Sequence, residues 1–223
     1  VVSVTDRLRG LGDLLREPPA LLALGFNLAP VVCVPLFDWS PAILLLLYWA
    51  ENVAIGVFNV FKMLIVGVRE GVAGFFGGLF TAVFFTVHYG GFCLGHGLFA
   101  LTFYGFEKGM PNDGQSLEIL ILKLPDLLLH EERGLLFSLV AIVALQAVGF
   151  VQWVAAGAWK SQDEGKLMSE PYGRIIVLHL GLFAMAFALG ALGNPVLGVF
   201  GLALIKTLID ALWAGSKAKK ARE

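Results

Sequence analysis

PAILLLLYWAENVAIGVFNVFKMLIVG, residues 41–67, runs for 27 positions with only two charges, Glu51 and Lys62. A helix crosses a bilayer's hydrocarbon core with about 20 consecutive apolar residues, so this stretch reads as a membrane span carrying a carboxylate at depth. Working outward, comparable runs occupy 19–37, 75–104, 134–159, 173–193 and 195–214, each bounded by charge, proline or glycine. Composition agrees: 58% of the 223 residues are apolar, 15% are charged, and the mean hydropathy is +0.81. Soluble domains run at about 45–50% apolar with a quarter charged. The sequence therefore predicts an all-α integral membrane protein with six transmembrane helices. A short N-terminal segment (1–18), the transmembrane domain (19–214) and a basic tail (215–223) complete it. No sizeable soluble domain fits.

Net charge is −1, from 16 basic and 17 acidic residues, which gives nucleic acid nothing to recognise. The first residues lack the basic-then-apolar order of a signal peptide. Cys33 and Cys93 sit in apolar runs without CxxC spacing and read as buried thiols.

Short cytoplasmic connections carry excess Lys and Arg. With alternating spans, Arg7, Arg9 and Arg16, then Lys62 and Arg69, then Lys160, Lys166 and Arg174, then Lys217, Lys219, Lys220 and Arg222 all fall on one side. The opposite side holds Lys108, Lys123 and Arg133 among more numerous acids. Both termini are thus expected in the cytoplasm of a multi-pass cell-membrane protein. Trp39 at one boundary and Trp153, Trp159 and Trp213 at the other suit interfacial belts. Between spans 3 and 4, Leu117, Leu120, Ile121 and Leu124 recur at helical spacing, predicting one outer interfacial helix broken at Pro125.

Ionisable groups inside a bilayer cost about 2.5–3.5 kcal/mol on insertion scales, so they face the bundle interior and find partners. In span 2, Glu51 lies about 15 Å from the outer end, and Asn52 and Asn59, seven apart, share a face. In span 3, Thr81, His88 and His96 are expected to point inward together. The two imidazoles lie about 12 Å apart along an unbroken helix, so a shared ion would need the backbone to unwind at Gly90-Gly91. His179 in span 5 and Asp210 in span 6 fall at similar depths. Lys206 is four residues from Asp210 on one face, which allows a chain Glu51–Lys206–Asp210–His179.

The segments YWAENVAIGVFNVFKML, HYGGFCLGHG, PYGRIIVLHL and LIKTLIDALW resemble an uncharacterised prokaryotic polytopic membrane family known only as a domain of unknown function. The likeness covers about residues 20–213, with motif positions at Glu51, Asn52, His88, His96, Arg174, His179, Lys206 and Asp210. It implies a six-helix membrane protein and no activity.

Three functions fit these residues. In a metal-dependent intramembrane hydrolase acting on a membrane-embedded or lipid-like substrate, His88, His96, His179 and Asp210 supply ligands for zinc or iron. Glu51 is then the general base, and Lys206 or Arg174 the electrostatic stabiliser. In a proton-coupled small-solute transporter or channel, Glu51, Lys206, Asp210 and His179 pass protons, and six spans favour a homo-oligomer. In a non-enzymatic assembly subunit, the same network, with Asn52 and Asn59, only joins helices.

Overall fold

The computed structural model describes residues 41–107 and 135–176, with isolated positions at 109, 118, 121, 122, 179, 180, 183 and 191. Apart from residues 161–163, the described residues are helical or in turns, and three of their helices are long and apolar enough to cross a membrane. These are α1 (Pro41–Arg69), α2 (Gly71–Glu107) and α3 (Leu135–Ala155). A 3-10 turn (Ala158–Lys160) and a short helix, α4 (Glu164–Ser169), follow. Expected spans 1 and 6, both termini and nearly all of the expected interfacial helix lie outside the described residues. The chain divides into two units, of which Ala42–Leu178 contains all the packing considered below except one contact of His179.

The turn between α1 and α2 is tighter than the sequence suggests. Expected spans 2 and 3 are separated by seven residues, but α1 continues to Arg69 and α2 begins at Gly71. Gly71 makes this possible with φ +80, a backbone region open to glycine and strained for other residues. The returning helix then lies against the first. A Cβ on Gly67 would sit 3.0 Å from the Gly78 Cα, and one on Gly78 would sit 2.9 Å from the Gly67 Cα. Further along, a Cβ on Gly56 would meet the Tyr89 ring at 2.7 Å, and one on Gly97 would meet Trp49 at the same distance. Gly67 with Gly78, Gly56 with Tyr89 and Trp49 with Gly97 therefore set the register of an antiparallel pair.

Trp49 Nε1 donates to the Cys93 carbonyl at 2.7 Å, and the Tyr89 hydroxyl donates to the Asn52 carbonyl at 3.1 Å. Such bonds matter because no water competes for these groups in hydrocarbon. Helix α2 is unbroken through Gly90-Gly91. Unwinding there would leave backbone groups without partners at membrane depth, a larger cost than about 1 kcal/mol for each helical glycine.

Helix α3 runs in the same direction as α1. Near its C-terminal end, Phe150 packs with Phe58 and Phe61, and the Trp153 ring lies 5.6 Å beneath the Lys62 ammonium. The rest of α3 is largely exposed apolar surface, as a lipid-facing span requires. It ends at Ala155, four residues before the expected limit, because Gly157 turns the chain with φ +66 and residues 158–160 wind more tightly.

The link between expected spans 4 and 5, residues 160–172, which the lysines place on the cytoplasmic side, lies along α1. The Arg69 guanidinium meets the carbonyls of Trp159, Lys160 and Gln162 at 2.7, 2.8 and 3.3 Å. Asn59 Nδ2 donates to the Leu167 carbonyl at 2.6 Å. Arg174 then reaches Glu51. Eighteen α1 residues separate Arg69 from Glu51, a descent of about 27 Å. Leu167, Ile175 and Tyr172 also join Met63, Val66, Phe85 and Tyr89 in one core, contacts that charge counting does not register.

Candidate functional site

Glu51 and Arg174 form the centre of the described polar network. Helix α1 places Glu51 ten residues from its first residue, and the segment along α1 delivers Arg174 at the start of expected span 5. Arg174 Nη1 lies 3.2 Å from Glu51 Oε1, with side-chain exposures of 34% and 21%. The pair is half-buried, so neither charge is fully hydrated, and each offsets part of the other's desolvation.

Around it stand groups that the sequence reading did not select. The Tyr89 ring stacks on Phe85 with centroids 4.7 Å apart and meets Tyr172 edge-on at 5.8 Å. One turn further along α2, Cys93 is a free and buried thiol. Asn52 is 6% exposed; its Nδ2 donates to the Tyr48 carbonyl at 2.8 Å, while its Oδ1 is buried without a hydrogen-bond partner. A buried acceptor without a partner costs about 1–3 kcal/mol. Aromatic residues in an apolar helix blend into the core pattern, so only the alignment of Tyr89 opposite Asn52 could have identified it.

The expected site residues divide into three groups. Glu51 and Arg174 meet, and Asn52 adjoins them; Asn59 is buried but spends its amide on Leu167. His88 and His96 do not share a face, contrary to the expectation that both point inward. His96 is 6% exposed, with Nδ1 2.6 Å from the Phe92 carbonyl, whereas His88 is exposed and stacks on Phe84, with Phe92 and Tyr172 beside it. Eight residues turn a helix by about 80° beyond whole turns, enough to move His88 off the face carrying Phe85, Tyr89, Cys93 and His96. The His179 ring lies tilted against Phe183, ring centroids 6.0 Å apart. Lys206 and Asp210 lie outside the described residues. Among the described residues, no group of three His, Cys, Asp or Glu side chains is placed to hold a metal ion. The continuous α2 also keeps His88 and His96 from joining at one.

A second acidic group sits at the turn end of the α1–α2 pair. The Glu164 carboxylate lies over the glycine crossing, where a Cβ on Gly78 would be 3.0 Å from Glu164 Oε1. That oxygen is buried without a hydrogen-bond partner. Burial, then repulsion from Glu70 and Asp163, hold this carboxyl above the usual range, opposed by Arg69. Asp163 itself caps α4, accepting from the Lys166 amide at 3.0 Å.

Comparison with known families gives one result: a family described as a family of unknown function, DUF6498, matches residues 12–223. No curated protein and no solved structure matches the chain.

Proposed function

This chain belongs to the DUF6498 family of unknown function, and from its residues we propose that it is a proton-coupled carrier of a small polar solute. The observation that carries the reading is the half-buried Glu51–Arg174 pair inside an apolar span. Ionisable residues within membrane spans by default mark solute or proton paths, because their insertion cost persists only where they act. A guanidinium stays charged at any physiological pH, whereas a carboxylate does not. A Glu–Arg pair therefore has one member that can be switched by a proton.

The reading takes the chain as a multi-pass cell-membrane protein with the Arg69 end of α1 in the cytoplasm. Supporting this, Lys62, Arg69, Lys160 and Lys166 belong to the end where α1 and α3 finish and α2 begins.

The test is reconstitution in vesicles enclosing a pH-sensitive dye, with an imposed proton gradient and a panel of carboxylates, amino acids and sugars. Solute-dependent proton entry that is lost in Glu51→Gln is the expected result. Proton entry indifferent to every solute and to Glu51→Gln would overturn the reading.

A further inference from the structure

We propose that Glu164 is a proton-operated latch: its protonated carboxyl seats α4 on the α1–α2 crossing, and ionisation weakens that hold so that α4 opens more often. The latch is independent of the carrier reading. Its seat exists because two side chains are missing. The place that a Gly78 Cβ would take is 3.0 Å from Glu164 Oε1, 2.9 Å from the Gly67 Cα and 3.2 Å from the Met63 carbonyl oxygen. The place of a Gly67 Cβ is 3.3 Å from the same Oε1 and 2.9 Å from the Gly74 carbonyl oxygen. Oε1 thus lies among glycine methylenes and helix carbonyls, buried and without a hydrogen-bond partner. Carbonyls only accept, and so does an ionised carboxylate. A protonated carboxyl brings its own donor into a seat lined by acceptors.

The latch closes on the segment that follows α3. Helix α4 packs on α2, Leu167 is buried with Met63 and Val66, and the Leu167 carbonyl receives the Asn59 amide at 2.6 Å. Glu164 is the first residue of this helix, and the chain beyond it leads to Tyr172 and Arg174. A helix of six residues is unstable in isolation, so docking decides whether it forms.

Glu70 and Asp163 repel the ionised carboxyl, and Arg69 attracts it. Arg69 is already engaged by three carbonyls and by Glu70. Lys166 gives its backbone amide to Asp163, and the Lys160 ammonium lies over the Trp159 ring. Residues 71–87 of α2 carry no titratable side chain, and His88 beyond them contacts Phe84, Phe92 and Tyr172. Burial and the two acids therefore prevail, and the docked carboxyl holds its proton above the usual range. Such a group favours docking below the ordinary Glu value of about 4.3 and loses that contribution as pH rises through the docked value. Acid closes the latch, and rising pH loosens it.

The experiment is hydrogen exchange read by mass spectrometry on the full chain in detergent, from about pH 4 to pH 8, with each rate divided by the intrinsic rate at that pH. The Leu167 and Glu170 amides donate to the Asp163 and Lys166 carbonyls. Their protection should fall with rising pH, by at most about tenfold per unit, and then level off. Glu164→Gln keeps the shape and supplies N–H donors, so it should stay protected with a flat profile. Glu164→Ala should be poorly protected at every pH; should it fail to fold, the contrast between wild type and Glu164→Gln decides. Peptides from within α1 should keep their protection throughout, which separates opening of α4 from unfolding of the chain. A wild-type profile that is flat, that Glu164→Gln reproduces, or that α1 follows step for step would sink the latch.

Discussion

Arg174 Nη1 stands 3.2 Å from Glu51 Oε1 although 123 positions separate them in the chain. Removing either charge takes from the other, half-buried one the partner it meets here. The cost should fall between that of an exposed pair and that of a fully buried one, about 1–3 kcal/mol. Glu51→Gln and Arg174→Gln should each lower thermal stability in detergent, and the double variant should lose less than the sum of the two. A double-mutant cycle with no coupling energy would show that the two side chains do not meet.

The glycine crossing makes a sharper prediction, because it comes with an internal control. Gly78→Ala drives a methyl group to within 2.9 Å of the Gly67 backbone, and neither helix can retreat without losing its contact. Gly77→Ala, one residue earlier, meets nothing within 4 Å. The first should destabilise by about 1–3 kcal/mol, as overpacking does, while the second should be neutral or slightly stabilising through helix propensity. Thermal melts of the two variants in one detergent check the difference.

The spans were legible because apolar run length is a direct reading of bilayer thickness. PAILLLLYWAENVAIGVFNVFKMLIVG gave α1 to within two residues at its far end, and the run at 134–159 placed α3. Chain reversal at Gly71 and the stop at Gly157 were hidden, since hydropathy does not register a positive φ. For the site, depth counting singled out Glu51, and charge counting grouped Arg174 with the connection between expected spans 4 and 5; neither signals that the two side chains meet. That contact follows from residues 160–172 lying along α1 through Leu167, Tyr172 and the Asn59 amide. The histidines misled for a related reason: a spacing of seven or eight defines a broad sector of a helix, and α1 covers only the part containing His96.

Tyr89 offers a test of the polar contacts without loss of packing. Tyr89→Phe keeps the stack on Phe85 and the edge contact with Tyr172 but removes the hydroxyl that donates to the Asn52 carbonyl. That carbonyl retains its place in the α1 helix, so the loss should be about 0.5–1.5 kcal/mol, the usual net value of one hydrogen bond. A drop several times larger would mean that the hydroxyl also fixes the position of the Glu51–Arg174 pair. Chemical denaturation of the two forms, compared at the same slope, measures it.

Glu164 should make stability depend on pH, with a sign opposite to that of most paired carboxylates. Its folded-state pKa is raised, first by burial and then by Glu70 and Asp163, so the folded chain holds this proton more tightly than the unfolded chain does. By linkage, its contribution is greatest below the ordinary carboxyl range and is lost as pH rises through the raised folded value. Above that window the ionised carboxylate is held over Gly67 and Gly78 with one oxygen buried and unpaired. Glu164→Gln removes the charge while keeping the shape, so it should raise the melting temperature at neutral pH and flatten the pH slope on the acid side. Asp163→Asn at the adjacent cap should lower the Glu164 pKa by removing one repelling charge, and thereby narrow the window. Melting temperatures of the wild type and both variants from about pH 4 to pH 8 test the argument. A wild type that gains stability steadily with pH while Glu164→Gln follows the same curve would show that the carboxylate is hydrated where it stands, and that the glycine crossing alone holds this end of the helices.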